Sequence, residues 1–294
     1  MQTAALVMEH SSKAIIEPVI APTGIKTILV HVQNDDGLGD RMQVALSLAR
    51  AFGAHLHLLH VTPIEAYTVT DAFAAYVNPG IVEVLEDEAA KLKGKIEQQL
   101  AKEDVSWNYE DITSSLMPHL IQRAALADLV VIGRQPHDRE FGAPAITLLG
   151  DMLYRIRTPL LIAGDEARGI DPFGPAMVAW NGSYEAANAM RAAVPLLRIS
   201  SEVRLVSIKE PREDRFPSTG ALEYLSRHGI NAELVEPVRI VNSFVDDLLD
   251  QAHLEGAGYM VMGGYGRTRA GEFVFGGVTR SLLKRCPISL VMAH

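Results

Sequence analysis

The sequence predicts an α/β protein built as two tandem doubly wound domains, each on a five-stranded parallel sheet. Three observations predict it. Apolar strand-like runs alternate with runs whose apolar residues recur at helical spacing, an order that favours parallel strands joined by crossover helices. That order runs once through residues 25–164 and starts again at 175–294. The letters also recur: DLVVIGR at 128–134 corresponds to YMVMGGYGR at 259–267, and RTPLLIA at 157–163 to RCPISLVMA at 285–293. A chain of 294 residues with 48% apolar content has room for two such cores.

The first half opens with the strand KTILVHV (26–32), the loop QNDDGLGD and the helix RMQVALSLARAFG, followed by the strand HLHLLHV (55–61). After a variable stretch come the amphipathic run VEVLEDEAAKLKGKIEQQLAKE, a short strand near VSWNYE and a helix in SLMPHLIQRAALA. The strand DLVVIG, a helix in LGDMLYRIR and the strand TPLLIAG (158–164) close it. The segment DEARGIDPFG (165–174) is polar and rich in Gly and Pro and reads as a linker. The second half repeats the order. PAMVAW is a strand, NGSYEAANAMRAAVPLL a loop and helix, EVRLVSIKE a strand and ALEYLSRHG a helix. NAELVEP is a short strand, SFVDDLLDQAHLEG a helix and YMVMGG a strand; a glycine-rich segment, a helix and the strand PISLVMAH follow. In a doubly wound sheet, ligands are expected where strands end and the strand order reverses.

Net charge is −9 and the pI near 5.6, which argues against a general nucleic-acid binder. Cys286 is the single cysteine, so no intrachain disulfide can form, and a reducing compartment fits best. As the first residue of an apolar strand region, before Pro287, it reads as a buried, inert thiol. Residues 1–24 lack a basic n-region and carry Glu9, Lys13 and Glu17, so they read as a loose leader rather than a signal peptide. No apolar run approaches the ~20 residues of a membrane span. A cytoplasmic protein with neither nucleic-acid nor membrane partners is expected.

The stretch VMGGYGRTRAGEFVFGGVTRSLL (261–283) holds six glycines. Glycine clusters after a strand suit a loop whose backbone N–H groups reach an anion, or an ordinary glycine-rich turn. Gly263, Gly266 and Gly276 have the spacing G-x2-G-x9-G. This resembles the phosphate loop of the universal stress protein family, as that family places it between the fourth strand and the last helix. VAWNGSYEAANAM, RHGINAELVE and the Thr-Pro or Cys-Pro step before each fifth strand resemble the family too, over about residues 25–294.

The resemblance implies an adenine nucleotide alpha-hydrolase-like fold, a role in stress response, and, in some members, binding of ATP or another adenine nucleotide, with or without Mg. It also implies that the two fifth strands pair within the chain, making an intrachain pseudo-dimer; further homodimerisation and an unknown protein partner stay open. Carried over residue by residue, the phosphate side is Gly263, Gly264, Gly266, Arg267, Gly276, Gly277, Val278 and Thr279. The base and ribose side is Ala179, Trp180, Asn181, Gly182 and Ser183. Where the family usually has Ser or Thr this chain has Gly277, which removes one side-chain donor and leaves the backbone donors of a helix N-terminus. Asn181 replaces the common Asp and brings no charge for a metal.

The first half departs further. It reads RQPHDREFGAPAITLLGD, with Pro136 in place of the second loop glycine, Asp151 after Gly150, and Gln33 in place of the strand-one Asp. Loss of an N–H donor and a carboxylate at a phosphate position lead us to expect no ordinary nucleotide site there. His55 and His57 alternate with His60 across the second strand, a poor geometry for one metal, and His31 reads as a core residue. Asp35, Asp36 and Asp40, loosened by Gly37 and Gly39, read as a solvated loop. No nucleophile elbow and no G-x4-GK[ST] loop occurs.

These readings lead to a regulatory protein whose C-terminal half binds an adenine nucleotide without turning it over. The alternatives are a scaffold of the same fold for a protein or small apolar ligand and, lower, a slow ATPase or self-phosphorylating protein.

Overall fold

The computed structural model describes residues 24–63, 68–71, 74–77, 79–134, 145–164, 169–207, 215–237, 243–264 and 277–294. The first half runs β1 (Thr27–Val32), α1 (Leu38–Phe52), β2 (His55–Pro63), β3 (Thr68–Asp71), β4 (Ala74–Val77), α2 (Pro79–Leu100) and β5 (Ser106–Ser114). It continues with α3 (Leu116–Ala124), β6 (Leu129–Ile132), α4 (Ala145–Arg155) and β7 (Leu160–Ile162). The second half is β8 (Ala176–Trp180), α5 (Tyr184–Ala192), α6 (Val194–Leu197), β9 (Val203–Ser207), α7 (Ser218–Arg227) and β10 (Ala232–Val235). It ends with α8 (Phe244–Leu254), β11 (Tyr259–Gly263), α9 (Gly277–Arg285) and β12 (Ser289–Ala293).

Ten strands form one sheet in the order β10-β9-β8-β11-β12-β7-β6-β1-β2-β5. Every neighbouring pair is parallel except β12 and β7, which run antiparallel with Val291 opposite Leu161. Read outward from that junction the halves repeat each other: Val30 lies opposite Val131 as Val178 lies opposite Val261. The expected pairing of the fifth strands, and with it the pseudo-dimer, is present. In each half the strand order reverses between the first and fourth strands of the repeat, β1/β6 and β8/β11. The two crevices of the fold therefore open at the carboxyl ends of those pairs.

β6 and β7 are buried along their full length, which explains their unbroken apolar runs, whereas the outermost strands β5 and β10 are mostly half-buried or exposed. The core is divided by face. One cluster packs α1, α2, α5, α6 and α7 on one side of the sheet, and the other packs α3, α4, α8 and α9 on the opposite side. Both draw on both halves, so the two cores follow the faces of the sheet and not the two repeats.

Three details differ from expectation. A hairpin, β3–β4, occupies part of the variable stretch, with Thr68 opposite Val77 and Asp71 opposite Ala74. The first helix of the second half is broken at Ala193, because Pro195 can only be accepted in the opening turn of a new helix, α6. Part of the expected linker is packed: Ile170 is buried and Gly169 rests on Gln43.

Candidate functional site

At the carboxyl end of β8, the residues Asn181, Gly182 and Ser183 turn the chain into α5. The Asn181 Oδ1 accepts from the Ser183 backbone N–H at 3.1 Å, and Ser183 Oγ accepts from Ala186 N–H at 3.1 Å as the helix cap. Gly182 has φ of +71°, and the residues just before α7 lie against it: Phe216 N–H donates to Gly182 O at 2.9 Å. A Cβ on Gly182 would lie 2.6 Å from Phe216 O. Glycine is thus required by both conformation and space. Beside this turn, Tyr184 and Phe216 meet edge to face with ring centres 4.9 Å apart, and both are exposed.

The neighbouring strand β11 ends at Gly263. A Cβ there would stand 2.5 Å from Ala186 N and 2.6 Å from the Glu185 carbonyl carbon, so the strand end is pressed onto the turn that Ser183 caps. Gly264 donates its N–H to Ala293 O at 3.0 Å and lies under Leu153 of α4, which comes from the other half. Asn181, Gly182, Ser183, Gly263 and Gly264 are therefore gathered at the β8/β11 switch point. Trp180, the last residue of β8, is buried with its indole N–H unpartnered among the described residues, and Ala179 is half-buried on the opposite face of the strand.

The helix α9 opens with Gly277, which is exposed and has nothing within 4 Å of a Cβ position. Val278 is half-buried and Thr279 buried, and no acidic residue stands in the first turn. The N–H groups of such a turn have no acceptor within the helix and carry the positive end of its dipole. Gly266, Arg267 and Gly276 lie outside the described residues.

The corresponding crevice of the first half is built differently. Gln33 follows β1 and is buried, and Arg41 of α1 is 1% exposed. The Arg41 guanidinium donates through Nη2 to Gln33 O at 2.9 Å and through Nη1 to Asp35 Oδ2 at 3.0 Å. It lies on Gly133, the counterpart of Gly263: a Cβ on Gly133 would stand 3.1 Å from Arg41 Cζ and closer still to Nη1. Two sequence readings are corrected here. Asp35 does not belong to a solvated loop, because a buried cation holds it. Asp151 does not face a phosphate position, because α4 starts at Ala145 and places it beyond the first turn, exposed. Pro136 lies outside the described residues. Arg41 was not singled out by the motifs, although its place between Leu38, Met42 and Ala45 on the apolar stripe of α1 marks it as facing inward.

The histidines of β2 are held by the edge strand. His55 reaches Ser106 and Asn108, His57 reaches Glu110 at 2.9 Å and His60 reaches Asp111 at 3.0 Å. His31 and Cys286 are buried. Among the described residues no helix is long and apolar enough to cross a membrane.

Residues 24–143 match the family model described as the universal stress protein family. No curated protein matches the chain. Among solved structures, a universal stress protein from Archaeoglobus fulgidus superposes with a TM-score of 0.70 at 12% identity, over 91% of this chain and 95% of that one. A putative universal stress protein from Pseudomonas aeruginosa gives 0.52 at 16% identity, over 92% and 93%. A functionally unknown protein from Pseudomonas aeruginosa gives 0.51 at 17%, over 92% of each chain. At these identities the likeness shows the fold, and it extends over both repeats. The domain match lies on the repeat with the altered crevice, and the glycine spacing lies on the other. Residues 24–143 thus carry a domain of the universal stress protein family, and the chain over both repeats has the fold of the universal stress proteins it superposes on.

Proposed function

We propose that the protein is a cytoplasmic stress-response regulator that holds an adenine nucleotide, ATP in the first instance, in its C-terminal half and acts by binding, not turnover. The observation that carries this reading is the β8/β11 crevice. Its two strand ends are drawn together through Gly263, with no room for a side chain between β11 and the turn at Ser183.

The residues present fit the group. Backbone N–H groups of Gly277, Val278 and Thr279 at a helix start without acidic residues suit a phosphate, with Gly266, Arg267 and Gly276 supplied by the glycine spacing. The Asn181 side-chain amide remains a donor for a ribose, since only its oxygen is used by Ser183. The indole N–H of Trp180 is a buried donor without an acceptor among the described residues, and leaving such a group unpaired costs about 1–3 kcal/mol. A nucleotide would supply polyphosphate charge and an aromatic base; the chain's own contribution is to orient them.

A second reading, a scaffold for a protein or small apolar ligand, is favoured by one observation: the Tyr184–Phe216 pair stands exposed at the mouth of the same crevice. Titration separates the two. Of the two tryptophans, Trp180 adjoins the site and Trp107 lies on β5. ATP is expected to change the fluorescence, and Trp180→Phe to abolish that change. A flat titration to millimolar ATP, together with a nucleotide-free mass of the gently purified protein, removes the nucleotide reading and leaves the scaffold.

A further inference from the structure

The crevices of the two halves are filled in different ways. In the C-terminal half the glycine at the end of the fourth strand meets the Ala186 nitrogen and the carbonyl carbon and Cβ of Glu185, with no longer side chain among its nearest described neighbours. In the N-terminal half the equivalent Gly133 meets a guanidinium. Arg41 reaches there from the fourth residue of α1, and it is among the largest fully buried side chains of the protein. Two of its nitrogens are used by Asp35 and by Gln33 O, while its Nε has no partner among the described residues. Gly37, at the start of α1, approaches the same guanidinium: a Cβ there would lie 3.5 Å from Nη1.

A buried cation is tolerated where a carboxylate and further acceptors surround it. Here the acceptors belong to the loop after β1, and the two glycines leave space on either side. We propose that the N-terminal crevice is a guanidinium site that the chain occupies with its own Arg41, an internal ligand that closes this half to nucleotides. The protein then offers one nucleotide crevice per chain although it carries two copies of the fold. Asp36 and Asp40, flanking Asp35 and Arg41 on the same loop and helix start, add negative charge that disfavours a polyphosphate and suits a cation. The inference rests on Arg41, Asp35 and Gly133 and does not depend on what the C-terminal half binds.

Chemical rescue tests it. Arg41→Ala is expected to lower the Tm, and millimolar methylguanidinium chloride to restore about 3 °C of it relative to sodium chloride. The wild type and Arg41→Ala/Asp35→Asn are expected to show no such gain. Should Arg41→Ala fail to fold, Arg41→Met keeps an apolar stem in the same space and carries a double-mutant cycle with Gly133→Ala. Gly133→Ala is expected to lower the Tm when Arg41 is present and to have less than half that effect in the Arg41→Met background. Equal effects of Gly133→Ala in the two backgrounds, or equal response of the Arg41→Ala variant and wild type to methylguanidinium, would overturn the proposal. So would two ATP molecules bound per wild-type chain. Absence of any ATP binding alongside successful rescue would instead remove the nucleotide reading of the C-terminal half alone.

Discussion

Gly263 opens the glycine spacing and Gly277 follows its last member, and the two meet opposite surroundings. At Gly263 an added Cβ collides with backbone atoms of α5, which cannot step aside as a side chain can, whereas at Gly277 it enters open space. Gly263→Ala is therefore expected to cost about 1–3 kcal/mol, as overpacking does, and to weaken ATP binding by shifting the strand end. Gly277→Ser is expected to stabilise α9 by about 0.5 kcal/mol through helix propensity. If its hydroxyl donates to a phosphate, it is also expected to tighten ATP by up to about tenfold, one charge-assisted hydrogen bond. Denaturant unfolding and ATP titration of both variants check this; a stable Gly263→Ala protein with unchanged affinity refutes the steric account. At this scale the glycine spacing marks Gly263, a position where the structure shows backbone pressed on backbone. The sequence reading failed at Arg41, because a charged residue is taken as exposed by default and its carboxylate partner lies six positions away in a loop.

At the scale of elements, alternation and helical spacing located all ten strands of the sheet, since buried strands are almost wholly apolar and the helices show one apolar stripe. They missed the β3–β4 hairpin and the break before α6, where local chemistry decides. The outer strand β5 shows how an edge is managed. It presents Asn108, Glu110 and Asp111 to the histidines of β2, and it has no strand on its other side among the described residues. Arg123 of α3 donates through Nε to Glu110 at 3.1 Å, and His57 adds a second contact; these hold the carboxyl below its usual range, Arg123 first. A depressed folded value means that this stabilisation is present above the unfolded pKa of about 4.3 and is lost as pH falls through the lower folded value. Glu110 is partly exposed, so the contribution is expected to stay under about 1 kcal/mol. Glu110→Gln should thus unfold with a shallower stability loss below about pH 4.3 than the wild type. An unchanged acid limb, measured by urea unfolding across that range, would show that the pair contributes nothing.

The whole molecule is more than two linked repeats, because its sheet is continuous and each face carries one core shared by both. The junction is narrow and closely fitted. Leu161 and Val291 are opposite one another and fully buried, Arg134 donates to Ile288 O at 2.7 Å across it, and Gly164 leaves room for Pro287 O. Leu153 of the first half also packs on Gly264, where the glycine-rich segment of the second half begins. Cooperative unfolding of all ten strands in one transition follows, and a ligand bound in one half should stabilise both. At a hundredfold excess over its Kd, ATP is expected to raise the single transition by about 2.7 kcal/mol. It should also slow hydrogen exchange in β1 and β6 as well as in β8 and β11. Leu161→Asp buries an unpaired charge at the junction, so it should cost several kcal/mol and split the transition in two. In that variant ATP should protect only the half that binds it. Protection confined to residues 175–294 in the wild type itself would mean that the shared cores do not couple the repeats, and that the antiparallel β7–β12 pairing joins two independently unfolding units.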